Sequence, residues 1–358
     1  MATELDMELV GKKAELLFGY MGGAVISGMI YVGDELGLYR TMAGAGPLTS
    51  AELALKAGLS ERWLREWLHG QAGAGILDYR GEGRFELSPE TALVIADEST
   101  PASTIGFFTG LPDQINACKD VIKSFKTGIG YNYDAGGPEM ARGVERGFAP
   151  WYRAALVESL KAGLGDVIRR LEAGGKVADI GCGSAVATLE MAKAWPKSEF
   201  HGYDNSLHAL ARAEANVVAA GVTNVTFHNP DHDPLPTGGS FDLVCCFDCL
   251  HDMTRPDLVG AAVLKALKPN GTWFIKDIAG APTFEDNLAG NPMAGMLYSV
   301  SVLTCMASSA STADGLALGT LGLPAPEMEK LVRGAGFTHV EVAQIEATPL
   351  DAFYIARR

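Results

Sequence analysis

The chain has 358 residues, 47% hydrophobic and 20% charged, with a formal net charge of −14 and a pI near 5.0. That length suits two domains or one large one, and the composition is that of a soluble globular protein. The acidic balance argues against nucleic acid or an anionic membrane as partner unless a local basic patch reverses the field.

The N-terminal MATELDMELVGKK has no apolar core behind a basic start and does not read as a signal peptide. The apolar stretch GYMGGAVISGMIYVG is glycine-rich and too short to span a bilayer. Cys118, Cys182, Cys245, Cys246, Cys249 and Cys305 lack the spacing of a disulfide framework, so free thiols in a reducing cytoplasm are expected.

Short helices and a hairpin are expected over the first hundred residues. LTSAELALKAGLS opens with a capping-box pattern, Thr49 with Glu52, and ends at Gly58. Ser60 then caps ERWLREWLHG, where Trp63, Leu64, Trp67 and Leu68 are expected on one apolar face. ILDYRGEGRFELS alternates apolar and polar residues around Gly-Glu-Gly, a hairpin signal. Helix, turn, helix and a two-stranded wing describe a winged-helix module. Residues 1–98 hold 15 acidic and 8 basic side chains, whereas a DNA reader needs a basic face. An apolar contact with another chain is the better reading.

Residues 101–170 read as helices broken by a Gly/Tyr-rich loop, a connector or a lid whose aromatics include Tyr131 and Tyr152. From residue 171 onward short apolar strands alternate with helices: KVADIGCG, SEFHGYD, VTFHN, FDLVCCF and TWFIKDI, then HVEVAQIE and DAFYIARR as a closing pair. That rhythm implies a mostly parallel sheet covered on both faces.

Ligands of open α/β sheets sit at the carboxyl ends of the strands. The first strand here runs into Asp179-Ile180-Gly181-Cys182-Gly183-Ser184-Ala185, a turn where the glycines let a ligand approach the backbone. Val186 stands where a nicotinamide-type glycine motif needs Gly or Ala. Asp204 ends the second strand, 21 residues after Gly183, where an acid can take ribose hydroxyls, and Asp231 follows the third.

VADIGCGSA, FHGYDNS, FHNPDHDPLP, FDLVCCFDCLHD and LKPNGTWFIKD resemble, in order, the motifs of class I S-adenosylmethionine-dependent methyltransferases. The N-terminal part resembles the winged-helix domain of an Rv2258c-type bacterial subgroup. The resemblance implies a Rossmann-like sheet of seven strands, mostly parallel with an antiparallel last strand, over residues 171–358. A winged-helix dimerisation domain over 1–100 and a helical linker or lid over 101–170 would precede it. It further implies S-adenosylmethionine as cofactor and S-adenosylhomocysteine as product. Asp179, Gly181, Cys182 and Gly183 would line the cofactor, Asp204 would hold the ribose with Asn205 beside the adenine, and Asp231 and His232 would flank the base. Phe247 and Asp248 would close the site near the sulfonium. Ala185 replaces the family's third glycine.

FDCLHDMTRP carries the candidate chemistry. His251 falls just past the fourth strand, where a base for an alcohol or phenol acceptor is needed. The segment resembles the HDW stretch of plant-type O-methyltransferases, with Met253 in place of tryptophan. Asp252 would orient the ring or, by preference, cap the next helix. Adjacent Cys245 and Cys246 point to opposite faces of a strand, so no metal is expected there. NPMAGMLYSVSVLTCMASS reads as a packed helix that also roofs the acceptor pocket with Met296, Tyr298, Ser301 and Thr304. The reading is a methyltransferase acting on a small molecule, with O-methylation ahead of S- or N-methylation. A cofactor-responsive winged-helix regulator is the alternative of another class. A homodimer joined through residues 1–100, and no nucleic acid or membrane partner, complete the expectations.

Overall fold

The computed structural model describes residues 5–345 and 350–358, which divide into two compact units, Met1–Pro112 and Asp113–Arg358. In the first unit α1 (Met7–Glu35) is followed by α2 (Leu38–Met42), β1 (Leu48–Thr49), α3 (Ser50–Ala57) and α4 (Glu61–Gly73). The wing is β2 (Asp78–Tyr79) and β3 (Arg84–Glu86), antiparallel, with β1 on the other side of β3, and α5 (Pro89–Ile95) closes the module. The expected capping box is present: Thr49 Oγ1 accepts from the Glu52 N–H at 3.2 Å, and the Glu52 carboxylate accepts from the Thr49 N–H at 2.8 Å. The expected apolar face of α4 is narrower than anticipated. Leu64, Trp67 and Leu68 are buried, and the Trp67 indole donates to the Met29 carbonyl at 2.9 Å, but Trp63 is 80% exposed. One position before Leu64 on a helix is a 100° rotation, enough to leave the core side.

α1 extends well beyond the apolar stretch seen in the sequence. Among the described residues it is the one helix long and apolar enough, by length and composition, to cross a membrane. Leu9, Leu16, Leu17, Phe18, Tyr20, Met21 and Val25 are exposed along it.

All but the first two residues of α6 (Leu111–Thr127) belong to the second unit, which continues with α7 (Gly137–Gly163) and α8 (Gly165–Ala173). The alternating part follows: β4 (Lys176–Ile180), α9 (Val186–Ala194), β5 (Glu199–Tyr203), α10 (Leu207–Ala220), β6 (Val225–His228) and β7 (Phe241–Phe247). It continues with α11 (Pro256–Ala266), β8 (Leu267–Ile278), α12 (Phe284–Gly290), α13 (Ala294–Leu303), α14 (Cys305–Ser309) and α15 (Ala325–Gly334), and ends with β9 (His339–Ala343) and β10 (Asp351–Arg357). Glu346, the end of the expected strand HVEVAQIE, lies outside the described residues.

The seven strands run in the order β6-β5-β4-β7-β8-β10-β9. All neighbours are parallel except β10, which is antiparallel to both β8 and β9. The order reverses between β4 and β7, so the carboxyl ends of those two strands frame a crevice where open α/β sheets bind ligands. One apolar layer beneath the sheet includes Leu160, Val167, Met191, Phe200 and Phe274; the other includes Val263, Trp273, Met328 and Tyr354. The segment expected as one roofing helix breaks at Thr304 (φ −137°, ψ −82°) into α13 and α14.

Candidate active site

The turn after β4 is a left-handed staircase: Gly181, Gly183 and Ala185 have φ of +69°, +55° and +65°. A Cβ on Gly181 would also lie 2.7 Å from Cβ of Cys249, so side chain is excluded twice over. Ala185 accepts the left-handed conformation at a cost glycine would not have, and it starts α9. Below the turn Asp179 is buried: Thr188 Oγ1 donates to one of its oxygens at 2.5 Å, while Oδ1 has no partner among the described residues. Burial pushes this carboxyl up to about 7, with the Thr188 hydrogen bond opposing. Ser184 Oγ is likewise buried and has no partner among the described residues.

Asp204 stands across the turn. Its carboxylate accepts from the Gly183 N–H and the Ser206 N–H, each at 2.8 Å, and burial still raises its pKa. The structure therefore brings Asp179, Gly181, Cys182, Gly183 and Asp204 together. Asn205 and Asp231 are exposed, and the Asp231 and His232 backbone N–H groups donate to Asn229 at 3.0 and 3.1 Å. Phe247 packs edge-on against Tyr152, ring centroids 5.9 Å apart.

A strap over residues 128–137 joins two sides of this unit. Gly130 and Tyr131 donate backbone N–H groups to Ala310 and Ala307, and Tyr131 Oη donates to the Leu303 carbonyl at 2.6 Å. On the other side Asp134 Oδ1 accepts from Ser206 Oγ at 2.5 Å, two residues beyond Asp204. Between these anchors Tyr133 is held near Asp204, Asp252 and Cys305; burial first, then those neighbours, lift its hydroxyl well above the usual phenol range.

His251 lies on a short 3-10 turn, Leu250–Asp252, right after β7, and is buried. Its Nδ1 faces Asp277 Oδ1 at 2.5 Å, and the Ile278 N–H donates to the same oxygen at 2.8 Å. Asp277 Oδ2 is buried without a partner among the described residues. Burial by itself would lower the imidazole pKa; the Asp277 carboxylate, with Cys305 nearby, outweighs it and holds the ring well above its ordinary value. Asp277 thus orients the ring, the role considered for Asp252. Asp252 does not cap either, since Arg255 holds the N-cap position of α11 and no side chain caps that end among the described residues. Burial instead raises the Asp252 carboxyl to about 7.

The remaining anticipated residues divide. Tyr152 sits deep against Phe247 and Trp151. Thr304 is buried next to Cys305, whose helix packs on the 3-10 turn. Ser301 Oγ accepts from the Thr320 N–H at 3.0 Å, a packing contact. Tyr298 Oη accepts from Asn287 Nδ2 at 3.2 Å, and Met296 is half exposed. Tyr131 borders a cavity of about 340 Å³ with Asp120, Lys123, Met140 and Leu303, whose lining does not include His251. Asp248 adopts φ +53° and its carboxylate pairs with buried Lys276 at 2.6 Å, a partner not anticipated. Asp277, Cys305 and Asp134 were also missed. An acid at the carboxyl end of a buried strand, in FIKDI, was the signal available for Asp277.

Residues 171–313 match the model of the methyltransferase domain, and residues 24–96 that of the Rv2258c-like winged HTH domain. The two spans cover well over half of the chain, in the order and places the motifs occupy. The chain thus carries a methyltransferase domain preceded by an Rv2258c-like winged HTH domain. A ubiquinone biosynthesis O-methyltransferase from Methylococcus capsulatus is 33% identical over 108 residues, which are 30% of this chain and 44% of that protein. The chain thus spans less than half the length of that relative. An O-methyltransferase family protein from Burkholderia thailandensis has the same fold, with a TM-score of 0.69 at 15% identity over 99% of both chains. Human N-acetylserotonin methyltransferase, solved in complex with S-adenosylmethionine, gives 0.67 at 17% identity, covering 100% of this chain and 99% of that one.

Proposed function

We propose that the protein transfers a methyl group from S-adenosylmethionine to a hydroxyl oxygen of a small molecule, with His251 as the base. The observation that carries this reading is the buried His251–Asp277 pair at the carboxyl end of β7, beside the crevice. The residues around the glycine turn fit the cofactor. Asp179 Oδ1 and Ser184 Oγ are buried polar atoms without partners among the described residues, and Asp204 keeps acceptor capacity on two oxygens each holding one N–H. Asp204 would hold the ribose, and Asp179 and Ser184 would serve the amino-acid end. When bound, the cofactor supplies an electrophilic methyl group on a sulfonium.

The protein's part is alignment and proton removal. Nδ1–H of His251 donates to Asp277, which leaves Nε2 as the acceptor of the hydroxyl proton. Phe247 and Tyr152 exclude water on the sheet side. His251→Ala should lower turnover about 10²–10⁴-fold with cofactor affinity nearly intact. Turnover within twofold of wild type would redirect the assignment to a sulfur acceptor, which needs no base. Asp204→Ala should cost about 1.5–3 kcal/mol of cofactor affinity by calorimetry; an unchanged affinity would remove Asp204 from the cofactor site.

For partners, the exposed apolar length of α1 supports a homodimer formed through the first unit, whose net acidity disfavours DNA. The six free cysteines agree with a reducing cytoplasm.

A further inference from the structure

The strand cysteines are committed elsewhere. Cys249 Sγ contacts the Ile180 carbonyl, Cys246 Sγ accepts from the Trp273 indole, and Cys245 is buried in the layer beneath the sheet. Cys305 is different. It starts α14 and is only part-buried, and its Sγ lies with a ring nitrogen of His251 and a carboxylate oxygen of Asp252 in a cluster whose atoms are all within 4.8 Å of one another.

We propose that His251 Nε2, the Asp252 carboxylate and the Cys305 thiolate form a site for a thiophilic divalent cation of the zinc class. Three features of the surroundings carry this. First, the donor set is a nitrogen, an oxygen and a sulfur, the set tetrahedral zinc takes with three protein ligands and one open position. Second, Asp277 already occupies Nδ1 at 2.5 Å and is itself fixed by the Ile278 N–H. That carboxylate–imidazole arrangement fixes the tautomer and turns Nε2 toward the cluster, as it does for metal-bound histidines. Third, the Asp252 carboxyl accepts no hydrogen bond among the described residues, while Asp277, Asp204 and Asp248 add negative charge around it. A dication there meets a field of its own preference.

Ligand atoms around zinc stand roughly 3–4 Å apart, so closing the cluster requires only small rotations of Asp252 and Cys305. Neither side chain is fully buried. The Cys305 proton leaves to solvent as the thiolate binds. A metal-bound Nε2 has no lone pair for a hydroxyl proton, so the loaded form is silent in base-assisted methylation. That consequence rests on the role proposed for His251; the site itself does not.

Reduced, cofactor-free, full-length protein titrated with Co²⁺ should bind one equivalent and develop a thiolate-to-cobalt charge-transfer band, which Zn²⁺ displaces. Cys305→Ser should abolish the band, Cys118→Ser should keep it, and Asp277→Asn should weaken binding about 10–100-fold. In the wild type Zn²⁺ should slow alkylation of Cys305, a readout that needs no variant to fold. Absence of binding, a band that survives Cys305→Ser, or alkylation of Cys305 at the same rate with and without Zn²⁺ would overturn the site. None of these readouts uses methyl transfer, so the site and the proposed activity can fail separately.

Discussion

Lys276 and Asp277 are neighbours at the end of β8, yet strand alternation sends them into opposite kinds of surroundings. Lys276 is closed: its ammonium sits 2.6 Å from Asp248, 2.7 Å from Asp351 and 4.8 Å from the Trp151 ring centroid. Burial would lower its pKa, but the two carboxylates outweigh that and raise it. Asp277 is open. One oxygen has no partner among the described residues, and its imidazole partner faces a carboxyl and a thiol in the space beyond. Both clusters hold buried charge, and only the second leaves capacity unused. A satisfied buried ion cluster holds strand ends together; an unsatisfied one is available for chemistry.

Breaking the closed cluster should have the largest effect on stability. Lys276→Met leaves Asp248 and Asp351 buried near each other without their cation, which should cost about 3–5 kcal/mol in denaturant unfolding. The remaining folded molecules should bind cofactor with near-normal affinity. A variant as stable as wild type would show that the two clusters do not differ as argued.

Altering the open cluster should instead move a pH profile. The Asp277 charge raises the His251 pKa, so the base form accumulates only as pH climbs through that raised value, and turnover should rise with pH there. Asp277→Asn removes the charge and leaves burial, which lowers the pKa. The rise should then move to lower pH, while the plateau falls because the tautomer is no longer held. The stability linkage has the same sign. The His251–Asp277 contribution is complete below the ordinary histidine pKa and is lost as pH rises through the raised one, so Asp277→Asn should be most destabilising at low pH. A pH–rate profile identical in both proteins would make Asp277 a packing residue.

Much of this molecule was legible in its sequence for local reasons. The capping box at Thr49, the glycine turn after β4, the acid at the end of β5 and the apolar strands each depend on a few adjacent residues and on periodicity. Trp63 shows the limit even of local reading. Its helix was correct, but which side of that helix meets the core depends on how α4 packs within its unit. The same holds for the break at Thr304, where the Ser301 hydroxyl is taken by the Thr320 backbone and the chain must turn to carry Cys305 back toward the 3-10 turn.

By itself the sequence determined a winged-helix module, a doubly covered sheet and the glycine turn after β4, because hydrophobic period and turn chemistry are properties of short segments. Tertiary structure alone decided what surrounds His251. Asp277 is 26 residues away and Cys305 arrives from another helix, so no spacing rule pairs them with the imidazole. Parallel pairing of β7 with β8 brings the two strand ends side by side, and only that register places a carboxylate against a histidine after a strand and makes it a buried, oriented imidazole.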